Sequence, residues 1–388
     1  MAEVRVAGVG ATPFGNVPER TGRDLFAEAS IEAFDDSQVP REDVEAVLYG
    51  NFMGELAEHQ GHQGPLMAEA AGVQAPATRY EAACASSGAA AREAVKRIRT
   101  GENDVLLVGG AERMTNLGTG GATEALAIAA DDLWEVKAGM TFPGAYALMA
   151  QAYFATYGGN REDLAHVAVK NHKNAVPNEK AQYQREIELA DVLEAPMVSD
   201  PIGLYDACPI SDGAAAIVLT SDAYAERSGL DAPIAITGTG QGGDRLALHD
   251  REHLARSPAA RDAAAEAYKD AGVSSSDVDV AEVHDCFTIA EVLAIEALDI
   301  EPVGEGISAA RDGRTRADGE TPVNLSGGLK AKGHPVGATG ASQIGELTRI
   351  LRGDHPNSDH VPDATMGLAH NAGGTVASAL VHVLEVVE

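Results

Sequence analysis

The chain has 388 residues with 45% hydrophobic content, enough for a sizeable core and two domains of ordinary size, which sets aside disordered and fibrous classes. Its 59 acidic against 29 basic residues give a formal net charge of -30, spread along the chain, so nucleic acid and anionic membranes are repelled. No run approaches the roughly 18 apolar residues of a membrane span, and Met1 to Gly10 lacks the order of a secretion signal, so a cytoplasmic location is expected.

The predicted elements begin with a strand at Val4 to Val9 and an amphipathic helix at Leu25 to Ser37. A small-residue helix follows at Ala89 to Arg99, then a buried strand of continuous apolar residues at Val105 to Gly110. Between Met114 and Pro209 lies a long stretch, helical at Tyr146 to Tyr157 and Arg161 to Ala175, whose Gly and Pro interruptions suit an inserted cap. Gly213 to Thr220 closes this part as a strand. Ile234 to Gly238 opens a second part as a strand, Ala259 to Ala271 follows as a helix, and Thr375 to Val383 closes it. Strands alternating with helices give an α/β class with largely parallel sheets.

The two parts are related. Glu32-Ala33-Phe34, Asp36, Val39, Asp43 and Val44 recur as Glu266-Ala267-Tyr268, Asp270, Val273, Asp277 and Val278, at a spacing of 234 (266 minus 32). Gly88-Ala89, Arg97-Ile98 and Gly101 recur as Gly340-Ala341, Arg349-Ile350 and Gly353, at a spacing of 252 (340 minus 88). Two matches in the same order predict a duplicated chain, with halves at 1–228 and 229–388 and the insertion at about 115–208.

The acidic excess has two readings. Acids dispersed over every exposed-looking helix, with Lys scarce beside Arg, suit molar salt, where a Debye length of about 3 Å screens self-repulsion. The other reading is an ordinary soluble acidic protein. The 3 cysteines, Cys84, Cys208 and Cys286, are too few and too scattered for a disulfide framework or a zinc cluster.

Four segments carry candidate chemistry. Cys84, in Glu81-Ala82-Ala83-Cys84-Ala85-Ser86-Ser87-Gly88, stands where the chain enters a helix; the helix dipole and free N–H groups there favour a thiolate and a lowered pKa. His334, in Gly333-His334-Pro335-Val336-Gly337-Ala338-Thr339-Gly340, lies at the equivalent helix start of the other half, because the 252 spacing sets Cys84 opposite Val336. The duplication therefore brings Cys84 toward His334, the arrangement by which an imidazole activates a thiol. His284 and Cys286, in Val283-His284-Asp285-Cys286-Phe287, end a short apolar strand and, two apart on extended chain, point to one face. They form an acid–base pair in a cleft or fill a core. His370-Asn371-Ala372-Gly373-Gly374 is a glycine turn whose N–H groups either stabilise an oxyanion or only permit tight reversal.

With these motifs in this order, the sequence resembles the thiolase superfamily over nearly its whole length. The resemblance implies a five-layered αβαβα fold of two βαβ halves with two central helices and an inserted loop domain. It maps the nucleophile onto Cys84 and the Gly-His-Pro histidine onto His334. Where many thiolases have Asn-Glu-Ala-Phe this chain has His284-Asp285-Cys286-Phe287, and where they have Cys-x-Gly it has His370. Both departures are similar to thiolases related to sterol carrier protein 2 and their archaeal counterparts. By that likeness Cys286 is the acid–base group and His284 helps build the oxyanion site.

The implied activity is that of an acetyl-CoA C-acetyltransferase, or β-ketothiolase: a reversible Claisen condensation through an acyl-Cys84 enzyme. The enolate oxygen is assigned to His334 and a water on His284. The acyl oxygen is assigned to the Cys84 N–H and the loop of His370, Ala372 and Gly373. Acyl-CoA is the substrate, with no metal and no resident cofactor. Asn324, Ser326 and Gly327 are expected to line the substrate site, and Lys170, Lys173 and Arg185 to receive CoA phosphates or to be ordinary solvated charges. The expected partners are further copies in a homodimer or tetramer and a small OB-fold accessory subunit. A ketoacyl synthase using Cys84, His284 and His334 competes with this reading. A hydroxymethylglutaryl-CoA synthase would need a glutamate that the motifs lack, and a non-catalytic acyl-CoA-binding subunit has no need of an activated thiol.

Overall fold

The structure, a computed structural model, describes residues 2–387. Its strands are β1 (Val4–Ala11), β2 (Ala46–Gly50), β3 (Ala77–Tyr80), β4 (Val105–Glu112), β5 (Met197–Ser199), β6 (Ile202–Gly203), β7 (Gly213–Ser221), β8 (Ile234–Gly243), β9 (Val280–Glu282), β10 (Met366–Gly373) and β11 (Ser378–Val386). Nine pair in the order β3-β2-β4-β7-β1-β8-β11-β10-β9. Outward from the middle, β1-β7-β4-β2-β3 and β8-β11-β10-β9 repeat one arrangement. A bridge from Ala281 to Val323 supplies the second half's counterpart of β3. The halves meet through one paired position, Arg5 with Ala235, so little ladder holds them coplanar.

Packing supplies the rest of the join. The helices Ser86–Arg99 and Thr339–Arg352 lie together at the centre, where Ala90, Ala94, Ile98, Ile344, Leu347 and Ile350 meet apolar side chains from strands of both halves. Full burial of one such aliphatic side chain stabilises by roughly 1.5–3 kcal/mol, so the central layer binds the halves far more strongly than the single strand contact. The helices Gly22–Ser37 and Gln63–Ala70 cover the outer face of the first half-sheet. Pro258–Ala271 and Thr288–Ala297 cover that of the second. The layers alternate helix, sheet, helix, sheet, helix, as the family resemblance implied.

The expectation of largely parallel sheets is corrected. Only β2 with β3, β2 with β4, and β9 with β10 run parallel; the other main pairings are antiparallel. In each half the chain returns at the end of the sheet it has just left: β4 ends at Glu112 opposite Gly213, where β7 begins, and β10 ends at Gly373 opposite Ser378, where β11 begins. The insertion contributes the helices Phe142–Tyr157 and Arg161–Ala175 and the β5–β6 ladder. Pro143 sits in the first turn of the former, and the Asn160 side chain accepts the Glu162 and Asp163 N–H groups at the start of the latter. Its apolar face packs Tyr146, Met149 and Tyr153 against Cys286, Phe287 and Ile289 of the second half. The insertion is thereby fixed over the segment that carries two candidate site residues.

Candidate active site

Cys84 closes a short elbow between β3 and the Ser86–Arg99 helix. Ala83 is held in the left-handed region at φ 50°, with its N–H donated to Glu81 Oε1 at 2.7 Å, and this turns Cys84 toward the interface of the halves. On the other side Val336–Ala338 forms a single helical turn that leads into Thr339–Arg352, and His334 stands just before it. Cys84, His284 and His334 each place one sulfur or ring nitrogen so that the three atoms lie within 4.8 Å of one another, all on buried side chains. The two imidazoles meet edge to face, with ring centroids 4.9 Å apart. The meeting of Cys84 and His334 expected from the duplication is present, and His284 completes it.

Close approach of the two central helices makes this possible. A Cβ on Gly340 would lie 2.3 Å from the Gly88 nitrogen, so the duplicated glycines touch backbone to backbone. Asn371, at the end of β10, fills the remaining space. Its Nδ2 donates to the Cys84 carbonyl at 3.0 Å and lies 3.3 Å from His284 Nδ1. His334 is held twice: its N–H donates to Ser211 Oγ at 2.9 Å, and its Nδ1 lies 2.8 Å from Thr339 Oγ1.

The electrostatics correct one expectation. Burial pushes the Cys84 thiol up to about 12, against the N–H groups of Gly374 and of Cys84 itself, with the Glu112 carboxylate adding to the rise. The helix start therefore does not yield a standing thiolate, because desolvation outweighs it. Burial likewise lowers His334 to about 3 and His284 well below its ordinary value. The resting trio is a neutral thiol beside two neutral imidazoles. Burial also raises Cys286 well above the usual thiol range, so it too holds its proton. Cys286 packs beside the Tyr146 hydroxyl, which donates to the Gly374 carbonyl at 3.0 Å, and its titration feels both Cys84 and Cys208.

The other expected residues separate into groups. His370 sits behind His284, its Nδ1 3.5 Å from the His284 N–H nitrogen, and burial lowers it to about 4. Ala372 and Gly373 belong to β10, with Ala372 packed in the outer core; the loop N–H directed at the sulfur is that of Gly374. Asn324, Ser326 and Gly327 are structural in position. Asn324 accepts the Val283 N–H at 2.8 Å and donates to Glu291 at 2.8 Å. Ser326 donates to Glu282 at 2.6 Å, and Gly327, at φ 102°, packs on Ala175. Lys170 is buried, bonded to the Val323 carbonyl at 2.7 Å and paired with Glu291 at 2.8 Å, so it cannot reach a phosphate in solvent. Lys173 and Arg185 are exposed on the insertion, Arg185 donating to the Tyr205 hydroxyl at 2.7 Å.

Sequence reasoning passed over three residues. Asn371 and Thr339 stand inside quoted motifs but read as turn and helix-start residues. Glu112, at the end of β4, accepts from Asn51 Nδ2 and the N–H groups of Phe52, Met53 and Gly337, tying the first half to the turn that follows His334. Three of its donors are the consecutive residues Asn51, Phe52 and Met53 and the fourth is Gly337, all far from Glu112 in sequence, so no local pattern announces it.

Comparison with known proteins places the chain in a family. The family model described as thiolase, N-terminal domain, matches residues 4–223, and the thiolase C-terminal domain-like model matches residues 240–386. An acetyl-CoA acetyltransferase from Methanothermobacter thermautotrophicus is 42% identical over 384 residues, covering 99% of each chain. Human sterol carrier protein 2 is 31% identical over 387 residues, 96% of this chain and 70% of that protein. A solved Ltp2-ChsH2(DUF35) aldolase superposes with a TM-score of 0.83 at 25% identity, covering 99% of this chain and 98% of that one. Duplicated halves, a cysteine and a histidine brought together by that duplication, and family matches over both halves lead to one conclusion: this chain belongs to the thiolase family of acyl-transferring enzymes.

Proposed function

We propose that the chain is an acetyl-CoA C-acetyltransferase that interconverts acetoacetyl-CoA plus CoA with two acetyl-CoA. The observation that carries this reading is the buried approach of Cys84, His284 and His334 within 4.8 Å, with Cys286 as a further proton-bearing group near them.

The neutral resting groups suit the cleavage direction. His334 takes the Cys84 proton as the sulfur attacks the keto carbonyl of acetoacetyl-CoA. The carbon–carbon bond breaks, its electrons pass into the thioester as an enolate, and the acetyl group stays on Cys84. Cys286 gives its proton to the enolate carbon, releasing acetyl-CoA, and recovers a proton from the imidazolium of His334. CoA then enters, gives its thiol proton to His334 and attacks the acetyl-enzyme; the second acetyl-CoA leaves as Cys84 regains its proton. Condensation is the reverse. His284 faces the charge that develops on the thioester oxygen, while the N–H groups of Cys84 and Gly374 face the acyl oxygen. No step draws on a metal or a resident cofactor.

The roles of Cys84, His334, His284 and Cys286, the division at 228/229 and the insertion at about 115–208 are parts of this reading. So are Lys173 and Arg185 as the exposed candidates for CoA phosphates, a cytoplasmic location, and assembly as a homo-oligomer. An accessory subunit is proposed from the DUF35 protein named with the solved aldolase. The charge of -30 supports function in molar salt. A second reading, a decarboxylating condensing enzyme, is favoured by the Cys-His-His composition of the trio. Steady-state kinetics in both directions with two- to six-carbon acyl-CoAs at molar salt tests the proposal. Thiolysis of acetoacetyl-CoA is expected; condensation that requires malonyl-CoA would replace the first reading by the second.

A further inference from the structure

Three buried atoms close together do not say which imidazole takes a proton and which donates a hydrogen bond to the developing charge. Each ring is neutral and carries a single N–H, so its role follows from which nitrogen holds it. The hydrogen bonds behind the rings answer this. The Cys84 carbonyl only accepts, so the amide group facing it at 3.0 Å is the Asn371 nitrogen, which commits one of its two protons there. The second lies toward His284 Nδ1 at 3.3 Å, which must then be the acceptor. The proton of His284 is left on Nε2, an atom buried without a partner among the described residues.

The same reasoning gives the opposite result for His334. The Pro335 carbonyl also only accepts, and the single hydroxyl proton of Thr339 goes to it at 3.1 Å. Thr339 Oγ1 therefore accepts from His334 Nδ1 at 2.8 Å, which leaves the lone pair on Nε2.

We propose that Asn371 and Thr339 are positioning residues that hold the two imidazoles in opposite tautomers, giving His334 a proton-accepting Nε2 and His284 an Nε2–H that donates a hydrogen bond. Neither residue touches the reacting atoms; both act through a ring. Asn371 is buried and wedged against Gly88 and Gly340, so the contact of the halves fixes it, while Thr339, the first residue of its helix, is held within the second half by Pro335 and His334. Both rings and both positioning residues belong to the second half, so the division of labour between base and donor is set there, opposite Cys84 of the first half. The inference rests on the thiolase reading for its chemistry, but not for the tautomers themselves.

The first test needs no turnover: nitrogen-15 spectra of the full-length, histidine-labelled protein, with His284 and His334 assigned from their His→Gln variants. The expected result is His334 protonated at Nδ1 and His284 at Nε2; either ring in the other tautomer overturns the proposal. The second test is kinetic. General acid–base placement contributes on the order of 10²–10⁴-fold, so Thr339→Val should slow acetylation of Cys84 by roughly tenfold or more at unchanged KM, with Thr339→Ser close to the wild type. Equal losses in both variants would mean that the threonine methyl matters rather than the hydroxyl, and would overturn the role of Thr339. Asn371→Asp draws the His284 proton to Nδ1, so it should slow α-deuterium exchange of acetyl-CoA roughly tenfold more than it slows acetylation. Equal slowing would overturn the role of Asn371. A wild-type protein that shows the two tautomers but is never acetylated would sink the thiolase reading instead.

Discussion

One helix offers two glycines whose replacement by alanine should act in opposite directions. At Gly340 an added Cβ would lie 2.3 Å from the Gly88 nitrogen, 2.5 Å from Asn371 Oδ1 and 2.7 Å from the Gly88 Cα. Two of these are backbone atoms of the facing helix, so relief requires the helices to part by about 1 Å to restore ordinary contact distance. Overpacking of this kind costs about 1–3 kcal/mol, against a gain of roughly 0.5–1 kcal/mol for replacing glycine in a helix interior. At Gly345 the same Cβ would find only Val9 Cβ at 3.7 Å and Val9 Cγ1 at 4.0 Å, ordinary contact. Gly340→Ala should therefore lower the unfolding free energy by about 1–2 kcal/mol, and Gly345→Ala should raise it by roughly 0.5–1 kcal/mol. Urea unfolding of both variants in one buffer measures this, with intact-mass acetylation read alongside. Gly340→Ala should also slow acetylation, since parting the helices moves Cys84 from His334. Shifts of the same sign in both variants would refute the account of the helix contact.

Lys170→Met leaves Glu291 buried without its cation and should cost about 3–5 kcal/mol by urea unfolding, while KM for CoA in the folded fraction stays unchanged; a raised KM would return Lys170 to the substrate site. Burial alone would raise Glu346, but Lys332, His355 and Arg349 more than offset it and hold the carboxyl well below its ordinary range. The stability it contributes is present above its unfolded value and is lost as pH falls from there toward the folded one, so the gap between wild type and Glu346→Gln should narrow below about pH 4.5. With a net charge of -30, unfolding midpoints should rise with potassium chloride toward molar concentrations, and a flat response would remove the salt-adapted reading.

Much of the site was legible because duplication leaves a mark that survives without coordinates. Gly88 and Gly340 match in the repeat and touch in the fold, and that match alone places Cys84 across from His334. Strand direction was not legible: an apolar run such as Val105 to Gly110 reads the same whether its neighbour runs parallel or antiparallel. Lys170 was misjudged because its partner Glu291 lies in a different helix, and a lone lysine on a helix reads as solvated. The thiolate expected at Cys84 failed for a related reason. A helix start is visible in the residues, but the depth of burial that outweighs it is a property of the assembled halves.

The measurement that bears most directly on the central claim is the intact mass of the protein after mixing with acetyl-CoA. Wild type should gain one acetyl group, Cys84→Ala none, and His334→Gln should gain it far more slowly. An unmodified wild type, or an acetyl group that persists in Cys84→Ala, would contradict the assignment of Cys84 as the nucleophile at the meeting of the two halves.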